Sequence, residues 1–267
     1  PLNDEGFVVV TAEVAAAQMT DTVTLNFTVN GEQVTKEYTV RQYADYVLDD
    51  ANNFDSVTKA LVQAMLHYGA AAQDYFDYNE GNFANANVQD TVTNAIQAAE
   101  AAPATGKTAG IVHYGSTLVY RDKVAVRVYF KLSGDAAIGD YTFTANGEKA
   151  TVNEGSNGLY YVEVADIAPQ NLDEAVTVAV NGGLTVTYSP LNYIVRKYND
   201  ASSSAELKAL VQAMYGYHLE AKYYNSVVPA GALQSSGNGW TSGVIYATMP
   251  ENDVYFGQND WSIEYTP

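Results

Sequence analysis

Few residues of this chain have the types and spacing that catalysis requires. The three histidines are His67, His113 and His218, and none belongs to a His-Glu-x-x-His zinc motif. No serine lies in a Gly-x-Ser-x-Gly nucleophile elbow. The absence of cysteine excludes disulfides, thiolate metal sites and cysteine nucleophiles. We therefore expect a protein that is not an enzyme.

Acidic residues cluster ahead of a predicted long helix. Asp49, Asp50 and Asp55 could offer the hard oxygen ligands that Ca²⁺ prefers, although their spacing is not that of an EF-hand loop. Acidic residues in this place also cap a helix and complement its dipole. We favour the capping role, so no cofactor is expected, and Ca²⁺ bound by these three residues is the alternative.

Aromatic residues near the end of the chain give the clearest indication of binding. Both tryptophans, Trp240 and Trp261, lie there together with Tyr246 and Tyr255. Aromatic rings stack on the apolar faces of sugars and also anchor protein interfaces. We predict that these four residues bind a ligand, the alternative being that the tryptophans are buried within the protein.

The charge balance limits the class of partner. Lys and Arg number 13 against 31 Asp and Glu, which gives a formal net charge of −18. Such a chain would be repelled by a phosphate backbone or an anionic bilayer. Its longest apolar runs are far shorter than the ~20 residues of a membrane span. We expect no nucleic-acid partner and no membrane insertion.

The pentapeptide Leu-Val-Gln-Ala-Met occurs twice, at residues 61–65 and 210–214. The two copies begin 149 residues apart, a period far longer than the ~20 to 50 residues of a solenoid repeat. The match extends towards the N-terminus, where residues 17–21 correspond to 169–173. We therefore predict two tandem repeats, each of which is a whole domain.

Alternating apolar residues and Asn-Gly turns predict antiparallel strands ahead of the helices in both repeats. Strands in the second repeat are expected over 111–113, 118–120, 124–132, 141–145, 160–164, 176–180 and 184–188. Seven strands before two helices, over 191–198 and 205–225, suggest an immunoglobulin-like sandwich. The predicted fold class is mostly β with α, as tandem immunoglobulin-like β-sandwich units that are each followed by a helical hairpin.

The predicted domains follow from the repeat. The first repeat occupies residues 1–102 and begins after the counterpart of residues 110–158. The second repeat occupies residues 107–228. Residues 229–267 form an aromatic-rich tail that matches neither repeat, and it is expected to belong to another module or to dock as a pair of strands.

In the first repeat a hairpin of strands 23–29 and 33–40 should precede a short helix over 41–48. A long helix is expected from its N-cap Ser56 to about Tyr78, followed by a third helix over 87–101. The Gly-Ala-Ala-Ala run that begins at Gly69 should let another element approach the long helix closely. The core stripe of this helix is predicted as Leu61, Met65, Tyr68, Ala72 and Phe76.

Two segments of the first repeat carry a family resemblance. Residues 38–47 and 66–76, which include the run Tyr-Gly-Ala-Ala-Ala-Gln-Asp-Tyr-Phe, resemble a tandem module of large secreted and wall-attached proteins of gram-positive gut anaerobes. Residues 188–193 and 213–217 look like the same module. The resemblance covers about residues 6–225. It implies a surface location and a β-plus-helix architecture, and it brings no catalytic residues.

Together these observations predict an extracellular, non-catalytic module of the cell surface that recognises a host protein or glycoprotein. The alternative is a polysaccharide-binding or spacer module of a secreted carbohydrate-active protein. We also expect residues 240–267 to cover an open sheet edge of the first repeat, or of a neighbouring chain, because exposed edges promote aggregation. The competing interpretation is that the tail begins the next module.

Overall fold

The structure is a computed structural model that describes residues 10–29, 31–85, 104–120, 124–227, 240–241 and 244–245. The fold is mixed, about 39% helix and 32% strand, and its sheets are antiparallel. The chain divides into a first unit, residues 1–90 with 220–267, and a second unit, residues 91–219. No helix in the described part of the chain combines the length and the apolar character of a membrane span.

In the first unit a short 3-10 helix, Ala16–Gln18, is followed by an antiparallel hairpin. Strand β1 (Val23–Val29) pairs with β2 (Glu32–Tyr38) over their full lengths. The return strand ends at Tyr38 and not at the predicted Val40, because Thr39 already caps the next helix. Its hydroxyl accepts a hydrogen bond from the Gln42 amide at 2.9 Å.

Two helices follow this hairpin, α1 (Val40–Leu48) and α2 (Ser56–Tyr75). The predicted N-cap Ser56 is wrong, since Asp55 caps α2 and its Oδ1 accepts bonds from the Val57 and Thr58 amides, both at 2.9 Å. Ser56 is instead the first helical residue. The helix also ends earlier than predicted, and the third predicted helix, over 87–101, lies outside the described residues.

The core of the first unit lies between α1, α2 and the short 3-10 helix Ala16–Gln18. Tyr68 and Ala72 are buried as predicted, but Leu61 and Met65 are only half-buried and Phe76 is 46% exposed. The predicted stripe on α2 is therefore wrong in phase, by about one residue or 100°. The face of α2 that does point inward carries the small residues Gly69 and Ala70, and neighbouring elements pack against them. The buried cluster consists of Met19, Ala44, Val47, Val62, Leu66, Ala70 and Ala84.

A close approach at Gly69 is confirmed. A Cβ atom placed there would lie 2.6 Å from Sδ of Met19, 3.0 Å from Cβ of Ala84 and 3.2 Å from the Ala16 carbonyl oxygen. The 3-10 helix and the chain after α2 thus press directly on the helix backbone at this residue. Glycine permits this contact because it has no side chain to displace.

The described part of the second unit holds two four-stranded sheets. In chain order its strands are β3 (Ile111–Tyr120), β4 (Val124–Leu132), β5 (Phe143–Ala145), β6 (Glu148–Ala150), β7 (Val152–Glu154), β8 (Leu159–Ile167), β9 (Val176–Val180) and β10 (Leu184–Tyr188). One sheet has the order β3-β4-β8-β7, and the other has the order β10-β9-β5-β6. The predicted strands over 111–113 and 118–120 are parts of one strand, β3.

Alternation on these strands defines an apolar layer between the two sheets. On β4, Val126, Val128 and Phe130 are fully buried, whereas the residues between them are not. The ring of Phe130 meets Phe143 of β5 edge to face, with centroids 5.4 Å apart. The two sheets of the second unit therefore share one core.

Two further helices follow β10, α3 (Pro190–Asn199) and α4 (Ala205–Val227), close to their predicted bounds. Ser189 caps α3 in the same way that Thr39 caps α1. The division between the two compact units falls inside α4. The last described elements are two short paired strands, β11 (Trp240–Thr241) and β12 (Val244–Ile245).

Candidate functional site

A β-bulge shapes the outer side of the sheet that contains β3. Pairing with β4 passes from His113 directly to Gly115, so Tyr114 is the extra residue of the bulge. Its side chain is 63% exposed, and Val112 on the same strand is 51% exposed. Such bulges redirect side chains at sheet edges, and this one presents an aromatic ring to solvent.

A second group of aromatic residues lies on the neighbouring strands. Tyr129 of β4 faces Tyr161 of β8 as a cross-strand pair, with ring centroids 5.5 Å apart and the planes tilted by 45°. Gly115 of β3 pairs with Tyr129 on its other side. A Cβ atom at Gly115 would meet nothing within 4 Å, so the space next to Tyr129 is open.

A charged pair borders these rings. The guanidinium carbon of Arg127 lies 4.4 Å from the ring centroid of Tyr161, and Nε of Arg127 donates to Oε2 of Glu163 at 2.6 Å. Burial lowers the pKa of Arg127, but bonds to Glu163 and Tyr129 outweigh it, and the pKa is raised overall. We call Tyr114, Tyr129, Tyr161, Arg127 and Glu163 the tyrosine face.

The loop before β8 closes one side of the tyrosine face. A Cβ atom at Gly155 would lie 3.4 Å from Cδ1 of Tyr161 and 3.7 Å from Cε1 of Tyr129. The backbone at Gly155 therefore runs directly against both rings and limits their movement. One side of the face is thus fixed by the loop, while the side at Gly115 is open.

This arrangement is suited to binding a flat, partly apolar molecule. Aromatic rings stack on the C–H faces of sugars, while tyrosine hydroxyls and a guanidinium–carboxylate pair can exchange hydrogen bonds with hydroxyl groups. The cross-strand pairs hold Arg127 and Tyr129 opposite Glu163 and Tyr161. Because these groups sit on paired strands, their positions are set before a ligand arrives.

The sequence did not predict the tyrosine face, although it carried a signal for it. Between Val124 and Leu132 the buried residues alternate with Arg127, Tyr129 and Lys131. This pattern identifies one outward face, and Arg127 and Tyr129 on it belong to the tyrosine face. The bulge at Tyr114 had no comparable signal, because it depends on the register between two strands.

Only one of the four predicted aromatic binding residues lies within the described residues. Trp240 lies on β11 and pairs with Ile245 of β12. Tyr246, Tyr255 and Trp261 lie outside the described residues. Their proposed role in binding stays a prediction.

The predicted calcium ligands have local partners. Asp49 accepts a bond from the Ala51 amide at 2.9 Å, and Asp50 lies 2.6 Å from Nζ of Lys59, which lowers the Asp50 pKa. Asp55 caps α2. Across the described residues there is no group of three or more His, Asp or Glu that is arranged to hold a metal ion.

The histidines of the second unit are engaged inside the fold. Nε2 of His113 lies 3.1 Å from Oγ of Ser116, and burial lowers the pKa of His113. This pair has the composition of a nucleophile and its base, but Ser116 is only 7% exposed and does not present its hydroxyl to solvent. Nδ1 of His218 donates to the Pro169 carbonyl at 2.8 Å.

No protein-family model matches the chain, and no curated protein or solved structure is detectably similar to it. A functional conclusion must therefore come from the residues and their geometry. Among the described residues, the tyrosine face combines exposed aromatic surface, open space and polar groups at one site.

Proposed function

We propose that this chain is a non-catalytic binding module of an extracellular, cell-surface protein and that its ligand is carbohydrate. The observation that carries the proposal is the tyrosine face, on which the exposed ring of Tyr114 lies on the strand beside the Tyr129–Tyr161 pair. The surface location is supported by the resemblance of residues 38–47 and 66–76 to modules of secreted and wall-attached proteins.

In this proposal a sugar ring stacks on Tyr114 or Tyr129 and occupies the space next to Gly115. Equatorial hydroxyls of the sugar then bond to the tyrosine hydroxyls and to the Arg127–Glu163 pair. Aromatic pairs contribute about 0.5–1.5 kcal/mol beyond the area that they bury, and we take the stacking of one sugar on one ring to be of this order. Affinity for one sugar is therefore low, and several sugars or several modules are needed for firm attachment.

The architecture we propose is a pair of related units. The shared core of the two sheets supports an immunoglobulin-like sandwich in the second unit. A common order of elements supports tandem repeats: a 3-10 helix, a strand hairpin, a short capped helix and a long helix. The domain limits proposed from the sequence, 1–102, 107–228 and 229–267, keep each of these sets together.

The local contacts refine the alignment of the proposed repeats. The carbonyl oxygen of Met19 accepts the Arg41 amide, and that of Leu172 accepts the Leu191 amide, each at 2.8 Å. Both residues directly follow their 3-10 helices. In the proposed repeats these contacts favour Leu172 as the counterpart of Met19, one residue beyond the Asn171 that the match of 17–21 with 169–173 gives.

Glycan binding by the full chain tests the proposal. A glycan array, followed by affinity electrophoresis, would be run on the parent and on Tyr114→Ala and Tyr129→Ala. Tyr223→Ala is the control, since Tyr223 is exposed on α4 and lies outside the tyrosine face. We expect the first two variants to lose affinity by about tenfold, equivalent to about 1.4 kcal/mol, and the control to match the parent.

Two binding experiments distinguish a host glycoprotein from a free polysaccharide as the source of the carbohydrate. A host glycoprotein would be bound before but not after enzymatic deglycosylation, whereas a polysaccharide ligand would retard the chain in gels that contain the free polymer. Binding that survives deglycosylation would overturn carbohydrate recognition in favour of a protein ligand. Equal affinity in Tyr114→Ala, Tyr129→Ala and the parent would place the binding site elsewhere.

A further inference from the structure

A lysine borders the tyrosine face at the end away from Arg127. Lys131 lies two residues beyond Tyr129 on β4, and it is exposed. Because side chains alternate along a strand, Lys131 and Tyr129 project from the same side of the sheet. Lys131 forms no ion pair with any other residue that the structure describes. Its charge is therefore not neutralised within the described part of the chain.

The charges beside Tyr129 do not cancel. Arg127 faces Glu163 on β8 and an uncharged threonine on β3, and its Nε is bound to the Glu163 carboxylate. Lys131 faces two apolar residues, Val112 and Leu159. The surroundings of Tyr129 thus keep the positive charge of Lys131, although the chain as a whole has a formal net charge of −18. At physiological ionic strength charges are screened over about 8 Å, so this local charge acts most strongly on a bound group.

Lys131 is also near the open space of the tyrosine face. Tyr129 pairs with Gly115, so Lys131 is the diagonal neighbour of Gly115. Diagonal neighbours on paired strands are about 7–8 Å apart, a distance that the flexible four-carbon stem of a lysine can span. A Cβ atom at Gly115 would meet nothing within 4 Å. A ligand in this space can therefore contact the ring of Tyr129 and the ammonium group of Lys131 together.

We propose that the tyrosine face selects acidic sugars, and that Lys131 pairs with the carboxylate or sulfate of the sugar. This inference rests on the carbohydrate-binding function proposed above and adds the class of sugar. The ring of the sugar stacks on Tyr129 or Tyr114, and its anionic group points towards Lys131. Arg127 is less suited to this role, because its guanidinium already binds Glu163 and lies over the ring of Tyr161.

Matched glycans on an array give the first test. The array carries sialylated glycans, sulfated glycans and oligouronates, each beside its neutral parent. We expect the full chain to bind acidic members about three- to fivefold more tightly than their neutral parents, which is the effect of one exposed ion pair. The set that is bound identifies the source of the anionic group. Equal binding of acidic and neutral members would overturn this proposal but leave carbohydrate binding intact, whereas an array without any signal would overturn both.

Removal of the Lys131 charge gives the second test. Lys131→Gln should weaken binding of the preferred acidic glycan by about three- to fivefold and leave its neutral parent unchanged. Lys131→Arg keeps the charge and should retain most of the affinity. Lys149→Gln is the control, because it removes the same charge from an exposed position on β6, in the other sheet. Unchanged affinity in Lys131→Gln, or an equal loss in Lys149→Gln, would contradict a pairing at Lys131.

Tyr129→Ala distinguishes recognition of a sugar from attraction between charges alone. This variant should bind both the acidic glycan and its neutral parent about tenfold more weakly, because stacking does not depend on the charge. Rising salt should weaken binding of the acidic glycan and leave that of the neutral parent nearly unchanged. Parent-like affinity of Tyr129→Ala for the acidic glycan, together with a loss in Lys131→Gln, would reduce the contact to an ion pair and overturn the proposal.

Discussion

The long helices α2 and α4 receive a 3-10 helix against the same place on their surface, but with different residues. Gly69 of α2 and His218 of α4 are 149 residues apart, the spacing of the repeated pentapeptide. On α2 the Ala16 carbonyl approaches a helix backbone that has no side chain. On α4 the Pro169 carbonyl accepts a hydrogen bond from His218. The 3-10 helix can thus approach α2 because Gly69 has no side chain, whereas it is held on α4 by the hydrogen bond from His218.

The two helices also end differently. Gln73 of α2 is completely buried, where its Nε2 donates to the Asn82 carbonyl at 2.9 Å and its Oε1 accepts the Ala84 amide at 2.7 Å. The counterpart on α4, Lys222, is exposed, and α4 continues to Val227. A buried amide thus ties the chain that follows α2, at Asn82 and Ala84, back to the helix. The two helices thus share the pentapeptide Leu-Val-Gln-Ala-Met but make different polar contacts.

Loss of the buried amide should have the largest effect. Gln73→Ala leaves the Ala84 amide and the Asn82 carbonyl with fewer partners inside the protein and opens a cavity, so we expect a loss of about 4 kcal/mol in the free energy of unfolding. Lys222→Ala is the matched control and should change it by less than about 0.5 kcal/mol. Urea unfolding measures both values. Similar losses in the two variants would show that the helices end in equivalent ways.

The shared methionine should distinguish the two helices next. Met214 is almost completely buried, whereas Met65 is half-buried at the margin of its core. We expect Met214→Ala to cost about 3 kcal/mol and Met65→Ala about 1 kcal/mol, because less apolar surface is buried at Met65. Thermal unfolding of both variants measures the difference. Equal costs would contradict the change of phase that the structure gives to α2.

Gly69 and His218 should respond to alanine for opposite reasons. Gly69→Ala gains helix propensity but forces Met19, Ala84 and the Ala16 carbonyl to move, so we expect a net loss of about 1–2 kcal/mol. His218→Ala removes a donor from the Pro169 carbonyl and should cost about 2 kcal/mol. His218→Gln retains a donor and should recover part of this loss. A stabilised Gly69→Ala variant would show that the close approach is not required.

The smallest effect that we expect is a difference in acid stability, which arises from the different N-caps of α2 and α4. Burial raises the pKa of Asp55, but hydrogen bonds from Thr58 and Val57 outweigh it, and the pKa is lowered overall from its ordinary 3.8. The cap therefore stabilises α2 fully above pH 3.8 and loses this contribution as the pH falls through the folded pKa. α4 has a neutral cap, since Ser204 accepts the Leu207 amide at 3.1 Å.

Asp55→Ser measures this difference, because it leaves a cap on α2 but removes the charge. We expect the stability of Asp55→Ser to fall less steeply than that of the parent below pH 3.8, and to be nearly unchanged at pH 7. Unfolding midpoints across this pH range provide the measurement. Parallel pH profiles for the variant and the parent would show that the Asp55 carboxylate contributes nothing to the acid sensitivity.

Much of the secondary structure could be predicted because local signals agree there. Helix α1 and strands β9 and β10 lie within one residue of their predicted bounds, since turn residues and capping residues mark both ends. The phase of α2 could not be predicted in the same way. Leu61 and Val62 are both apolar, and only the elements that pack at Gly69 decide which of them faces the core.

The candidate site was harder to predict than the fold. Periodicity assigns Tyr129 to an outward position, but neither the pairing of Tyr129 with Tyr161 nor the bulge at Tyr114 follows from local sequence. Both depend on the register between strands that are far apart in the chain. We predicted ligand binding at the aromatic tail because its composition can be read from the sequence. The geometry of cross-strand pairs cannot be read in this way.

The bulge on β3 has a consequence for evolution. Because the ladder passes from His113 to Gly115, removing Tyr114 would leave every other pair of β3 and β4 in register. Gain or loss of a single codon could therefore add or delete the most exposed ring of the surface without refolding the sheet.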